Sequence, residues 1–141
     1  RLRRGPFLDA DGEIVQTKAA VLDLRIKAHT LDQPVATLSG GNQQKVVLGK
    51  VLMTLPKVLL LDEPTRGIDV GAKLEVYELI NRLTGDGKAI VLVSSELGEL
   101  IGMSDRIVML CEGRIGGVFT RAEATQERLL AAAMGRLSQA A

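Results

Sequence analysis

Tryptophan is absent from this chain, and Phe7, Tyr77 and Phe119 are its only aromatic residues. A core built from it must therefore be aliphatic, and there are too few rings for a base-stacking platform. Cysteine is almost absent as well. Cys111 alone cannot close an intrachain disulfide, so a reducing, cytoplasmic setting is the economical reading. Its apolar neighbours Val108 to Leu110 point to a buried structural thiol. Charge of one sign is missing too. With 18 Lys+Arg against 17 Asp+Glu, a net charge of +1, the chain lacks the basic concentration of an electrostatically driven nucleic-acid binder. No apolar run approaches the ~18–20 residues that span a bilayer. The richest stretch, Val46 to Leu61, is interrupted by Lys50 and Lys57. At the N-terminus, Arg1-Leu2-Arg3-Arg4 leads into Gly-Pro rather than the apolar core of a signal peptide. No initiator Met stands at position 1, which raises the expectation that the chain is a piece of something longer.

What is present is a globular composition: 141 residues, 46% hydrophobic and 25% charged, about one domain long. Gly is frequent, at 15, so turns and close backbone approaches should matter. Residues 1–12 are charged and turn-rich, and are expected to be loosely anchored. Val15, Ala19, Leu22 and Ile26 give a helical period from Ile14 to Ala28. Pro34 stops anything helical before it. A turn at Thr37-Leu38-Ser39-Gly40-Gly41 then opens a helix carrying Val46, Val47, Val51, Met53 and Leu55, which Pro56 ends.

The character changes at Val58-Leu59-Leu60-Leu61, a short unbroken apolar run that suits a strand buried on both faces of a parallel sheet. A loop through Gly67 leads to a helix from about Val70 to Leu83, with Ala72, Val76, Ile80 and Leu83 on one face. Ala89 to Val93 reads as a second buried strand, and a short helix follows near Leu97 to Ile101. Arg106 to Cys111 and Arg114 to Phe119 read as strands around a Glu112-Gly113 turn. A terminal helix is expected over Gln126 to Met134. This alternation predicts an α/β fold whose right-handed crossovers align the strands in parallel.

Ligands of open parallel sheets sit beyond the carboxyl ends of the strands. The first strand ends there in Asp62 and Glu63. Neighbouring side chains of an extended segment point opposite ways, so the two should not share one task. An aspartate so placed suits Mg²⁺, often through water. The glutamate suits orienting or deprotonating a water. An apolar run followed by Asp-Glu is, on its own, more often a solvated strand end. Ser39-Gly40-Gly41 precedes a helix, where Ser satisfies an orphan amide as N-cap and the glycines leave N–H groups unobstructed. Free amides at the positive end of a helix dipole suit phosphate. Alone, Ser-Gly-Gly is more often a simple turn and cap. Asn42-Gln43-Gln44 adds exposed amides that are either a solvated face or a reach toward a ligand.

The combination is far more specific than its parts. Leu38-Ser39-Gly40-Gly41-Asn42-Gln43-Gln44, Leu59-Leu60-Leu61-Asp62-Glu63-Pro64-Thr65 and Arg66-Gly67-Ile68-Asp69 together resemble the ATP-binding cassette (ABC) ATPases over roughly residues 20–135. The three segments match the signature motif, the Walker B strand with its catalytic glutamate, and the D-loop. The wording Gly-Asn-Gln-Gln-Lys and Thr-Arg-Gly-Ile-Asp-Val-Gly-Ala-Lys is similar to the second cassette of bacterial monosaccharide importers of the ribose, xylose and galactose type.

The resemblance implies the C-terminal part of a P-loop NTPase cassette, an α/β fold with a parallel sheet flanked by helices. Residues 1–56 would be part of the helical signature subdomain and 57–141 the C-terminal part of the ATPase core. Ser39, Gly40 and Gly41 would clamp the γ-phosphate of ATP held mainly by an opposite cassette, with Gln43 assisting. Asp62 would support Mg²⁺, Glu63 would orient the attacking water, and Asp69 would couple the two sites at the cassette–cassette contact. The implied partners are a second cassette, membrane permease subunits and, indirectly, a periplasmic or extracellular sugar-binding protein, with no nucleic acid. The implied place is the cytoplasmic face of the bacterial cell membrane.

Two departures bear on this. Family members carry a histidine after the second strand, whereas here the run is Ser94-Ser95-Glu96 and Ser95 stands in its place. A serine hydroxyl can hydrogen-bond phosphate but cannot supply the same charge or tautomer control, which implies a slow or silent site at this Walker B. The only histidine, His29, lies far upstream and reads as a surface helix residue. There is also no G-x-x-x-x-G-K-[ST] phosphate loop in the chain and no Q-loop before the signature. The chain is thus expected to be the C-terminal part of a cassette that alone binds ATP weakly or not at all. Two further readings stay open: a non-catalytic regulatory half, and a soluble cassette protein acting on DNA or ribosomes. Against the latter stand the near-zero net charge and the absence of a long heptad run.

Overall fold

A computed structural model of the chain describes residues 3–4 and 7–136, with side chains over 9–136. Two compact units are present, Arg1–Leu59 with Pro64–Ile90, and Leu60–Glu63 with Val91–Ala141. Within the first, the helix after Asp69 packs with the signature segment.

In the first unit, β1 (Arg3–Arg4) and β2 (Phe7–Leu8) pair antiparallel, a small ladder in a stretch expected to be loose. Helix α1 (Ala10–Asp23) is capped by Asp9, whose carboxylate accepts from the Gly12 N–H at 3.2 Å. It ends five residues before the predicted limit because Arg25 turns left-handed, at φ 50°. Its expected apolar face is not buried: Val15 and Leu22 are 66% and 77% exposed. The predicted surface-helix residue His29 lies beyond the helix, exposed, its N–H donating to Gln33 Oε1 at 2.9 Å.

Helix α2 (Gly40–Leu52) follows a short 3₁₀ turn, Val35–Thr37. It stops before Pro56, and Leu55 adopts φ 53°. The valines it carries are not its buried residues. Gly41, Lys45, Leu48 and Gly49 are buried instead, while Val47 and Val51 are exposed. Helix α3 (Val70–Gly85) runs as the spacing predicts, burying Val76, Ile80 and Leu83 together with Leu79.

Strands β3 (Val58–Asp62) and β4 (Ala89–Val93) form a two-stranded sheet. Ala89 N–H donates to Lys57 O at one end and Glu63 N–H to Val93 O at the other, so both strands advance together as in a parallel pair. The expectation of burial on both faces is corrected. Leu59 and Leu61 are buried, but Leu60 is 78% exposed and β4 is nowhere fully buried, because only one face of this pair is covered by described residues.

The second unit continues with α4 (Leu97–Met103), β5 (Arg106–Cys111), β6 (Arg114–Thr120) and α5 (Gln126–Ala133). Strands β5 and β6 form an antiparallel hairpin, not a parallel pair. Glu112 and Gly113, at φ 49° and 75°, give the two left-handed residues that a tight hairpin turn requires. One hairpin face packs on the helices through Leu100, Ile107, Phe119 and Leu129. Gly116 is needed there, since a Cβ would strike the Ala132 carbonyl. Cys111 is only partly buried, contrary to expectation, because it ends β5 beside the turn.

Candidate functional site

The sequence candidates fall into two groups, each within one unit. In the first unit lies the start of α2. Ser39 occupies the N-cap position but does not cap: its Oγ accepts from Asn42 Nδ2 at 2.9 Å. Asn42 Oδ1 in turn accepts from the Lys27 N–H at 2.9 Å, so this one amide ties residue 27 to the serine. Gln43 Nε2 donates back to Leu38 O at 2.8 Å, turning its side chain into a brace for the loop. Helices α1, α3 and α5 have side-chain caps from Asp9, Asp69 and Thr125, whereas no described side chain caps α2. Its leading amides and dipole end are thus open to an anion.

The two glycines do more than leave N–H groups unobstructed. A Cβ on Gly41 would collide with the Ala72 side chain, and one on Gly40 would lie 3.3 Å from Ile68 Cγ2. They let α2 seat directly on residues 67–72. Asp69 belongs to that segment and caps α3, its Oδ1 accepting from the Ala72 N–H at 2.9 Å. Ser39, Gly40, Gly41, Gln43 and Asp69 are therefore brought to one region of the first unit.

Lys45 escaped the sequence reading, as did the bridge that the Asn42 amide makes to Ser39 and residue 27. Lys45 is buried, ion-paired to Glu75 on α3, and donates to Arg25 O at 3.1 Å. The nearby ammonium holds the Glu75 carboxyl below its usual range, chiefly through the hydrogen bond to Lys45. The signal was there: positions 41, 45, 48 and 49 share a helical face on which a lysine is out of place. A cleft of about 120 Å³ beside this pair is lined by charged residues of both signs, among them Asp23, Glu78 and Arg82.

The second group lies in the second unit. Asp62 is exposed at the end of β3. Glu63 is not extended, so strand alternation does not govern it: its φ is 47°, a left-handed conformation that costs a non-glycine residue about 1–3 kcal/mol. It is held there by its N–H to Val93 O at 2.9 Å and by its carboxylate, whose Oε1 accepts from the Ser95 N–H at 2.9 Å. Glu63 and Ser95 are thus brought together, through the serine backbone rather than its hydroxyl.

Residues 10–66 match the family described as "ABC transporter", a span that contains both the Ser39 loop and the Asp62-Glu63 strand end. A metal-chelate-type ABC transporter in an inward-facing conformation superposes with a TM-score of 0.77 at 18% identity, over 91% of this chain and 51% of that one. A nucleotide-free ATP-binding cassette gives 0.71 at 22% identity, over 78% and 43%. The chain has the α/β fold of these ATP-binding cassettes, and over residues 10–66 it is similar to the ABC transporter family. It is 61% identical, over 129 residues, to the xylose import ATP-binding protein XylG of Moorella thermoacetica. That match covers 92% of this chain, which spans about a quarter (26%) of the relative's length.

Proposed function

We propose that this chain is part of an ATPase that energises monosaccharide import through a membrane permease, with its α2 loop completing a nucleotide site. The observation that carries this reading is the uncapped start of α2. Ser39, Gly40 and Gly41 present a hydroxyl and unblocked amides at a helix N-terminus seated on the Asp69 segment. Such an end stabilises phosphate charge without a proton being moved. The ATP it serves would be held mainly by a second cassette, and Asp69 would carry the contact between the two.

At the other site, Glu63 would orient or deprotonate the attacking water, and the Ser95 N–H keeps its carboxylate aimed. Mg²⁺ would be held near Asp62. Among the described residues no cluster of three or more His, Cys, Asp or Glu could hold a metal alone. A lone exposed carboxylate fits Mg²⁺, which keeps its waters and takes its other ligands from phosphate. The ion would supply charge neutralisation on the transferred phosphoryl group.

Among the described residues no helix is long and apolar enough to cross a membrane. Transport would therefore go through separate permease subunits, at the cytoplasmic face. Xylose is the sugar in the name of the 61% identical relative, and an aldopentose is the first substrate to test. The full-length protein is reconstituted with its permease and binding protein in vesicles. ATP-dependent xylose uptake exceeding that of other monosaccharides is the expected result. ATP hydrolysis with no sugar uptake of any kind would overturn the transport reading in favour of a non-transport cassette.

A further inference from the structure

Lys45 is a buried charge to which the proposed function gives no task. Its side chain is 5% exposed, while that of its partner Glu75 is 45% exposed. One turn before it on the same face of α2, Gly41 lies against Ala72. Helix α2 therefore meets the segment that begins with the Asp69 loop at two levels, Gly41 on Ala72 and Lys45 on Glu75. Two such points, ~6 Å apart along the helix, fix its rotation as well as its distance. A second bond from the same ammonium, to Arg25 O, anchors the backbone just after α1.

Stability alone does not call for an ion pair here, since an apolar pair of similar volume commonly serves as well or better. What a directed pair adds is register. We propose that Lys45 is a positioning residue: through Glu75 it locks the first turn of α2, with Ser39 to Gly41, to the Asp69 segment, so that the two loops act on nucleotide as one body. This rests on the nucleotide reading of the α2 loop. Another pair gives an internal comparison. Arg82 Nη1 meets Asp23 Oδ1 at 3.0 Å, also on α3, but both side chains are about half exposed or more and neither belongs to α2.

The test uses the full-length protein and measures ATP turnover, binding of a fluorescent ATP analogue and melting temperature together. Glu75→Gln is expected to lower kcat by about tenfold or more, the scale on which small misplacements act. Analogue binding should stay within about twofold of wild type, at a temperature where the variant is fully folded. Glu75→Asp keeps the charge but shortens the arm, so it preserves folding if Glu75→Gln does not, and should still lower kcat. Arg82→Gln should leave turnover unchanged. The proposal is overturned if kcat is unaffected in a folded Glu75 variant, if the loss only tracks the unfolded fraction, or if Arg82→Gln loses as much. Ser39→Arg separates the two readings. If it leaves turnover intact, the α2 loop reading fails and takes the proposal with it. If it abolishes turnover while the Glu75 variants do not, only the positioning role fails.

Discussion

At the scale of single residues, Glu63 combines strain with a fixed direction. Its left-handed φ of 47° is held against cost by the Val93 carbonyl and the Ser95 N–H. A glutamine there keeps the amide oxygen that Ser95 bonds but loses the basic carboxylate. Glu63→Gln should therefore melt within a few degrees of wild type while the hydrolysis that depends on this site falls by about 10²-fold or more. Steady-state phosphate release in the full-length protein checks this, and unchanged release would take Glu63 out of the chemistry. Because the bond comes from the backbone, the serine at position 95 need not contribute its hydroxyl to hold the carboxylate.

At the scale of elements, the seating of α2 on α3 organises the first unit. The residues that meet α3 are small and charged, Gly41 on Ala72 and Lys45 on Glu75, with Leu48 and Gly49 completing the buried face of α2. Gly41→Ala would push its new methyl into Ala72, at the start of the neighbouring helix. The same change at Gly49 meets only the end of Leu24, a flexible side chain, at 2.8 Å. Gly41→Ala is therefore expected to cost about 1–3 kcal/mol in a denaturant titration, and Gly49→Ala less, since alanine also favours the helix. Equal costs would show that the α2–α3 contact is not the tight one. These elements also mark what the sequence made legible. Helix α3 and the Glu112-Gly113 hairpin were readable because periodicity and turn chemistry are local signals. The buried face of α2 was not, because hydrophobic periodicity gives no weight to glycine and counts lysine against burial. The left-handed turn at Arg25 left no trace in composition either. For the candidate loops, the residue types were legible, while the Asn42 bridge, the Gln43 brace and the Ser95 backbone bond depend on three-dimensional folding and were not.

For the whole molecule, the chain has the fold of solved ATP-binding cassettes and spans about a quarter of the length of a 61% identical relative, a xylose import ATP-binding protein. If, as proposed, the α2 loop acts on nucleotide held mainly by an opposite cassette, its role does not depend on whether Glu63 turns over ATP. On that proposal Ser95 in place of a histidine would leave the role untouched. The most direct measurement is ATP turnover by the full-length protein at saturating Mg-ATP, wild type against Ser39→Arg. The arginine fills the approach to the start of α2 while leaving the Lys45 and Gly41 contacts in place. Turnover should collapse by about 10²–10³-fold, the scale of losing oriented donors from a charge-stabilising site, with melting temperature kept. Full turnover in a folded Ser39→Arg protein would contradict the assignment of this loop to nucleotide.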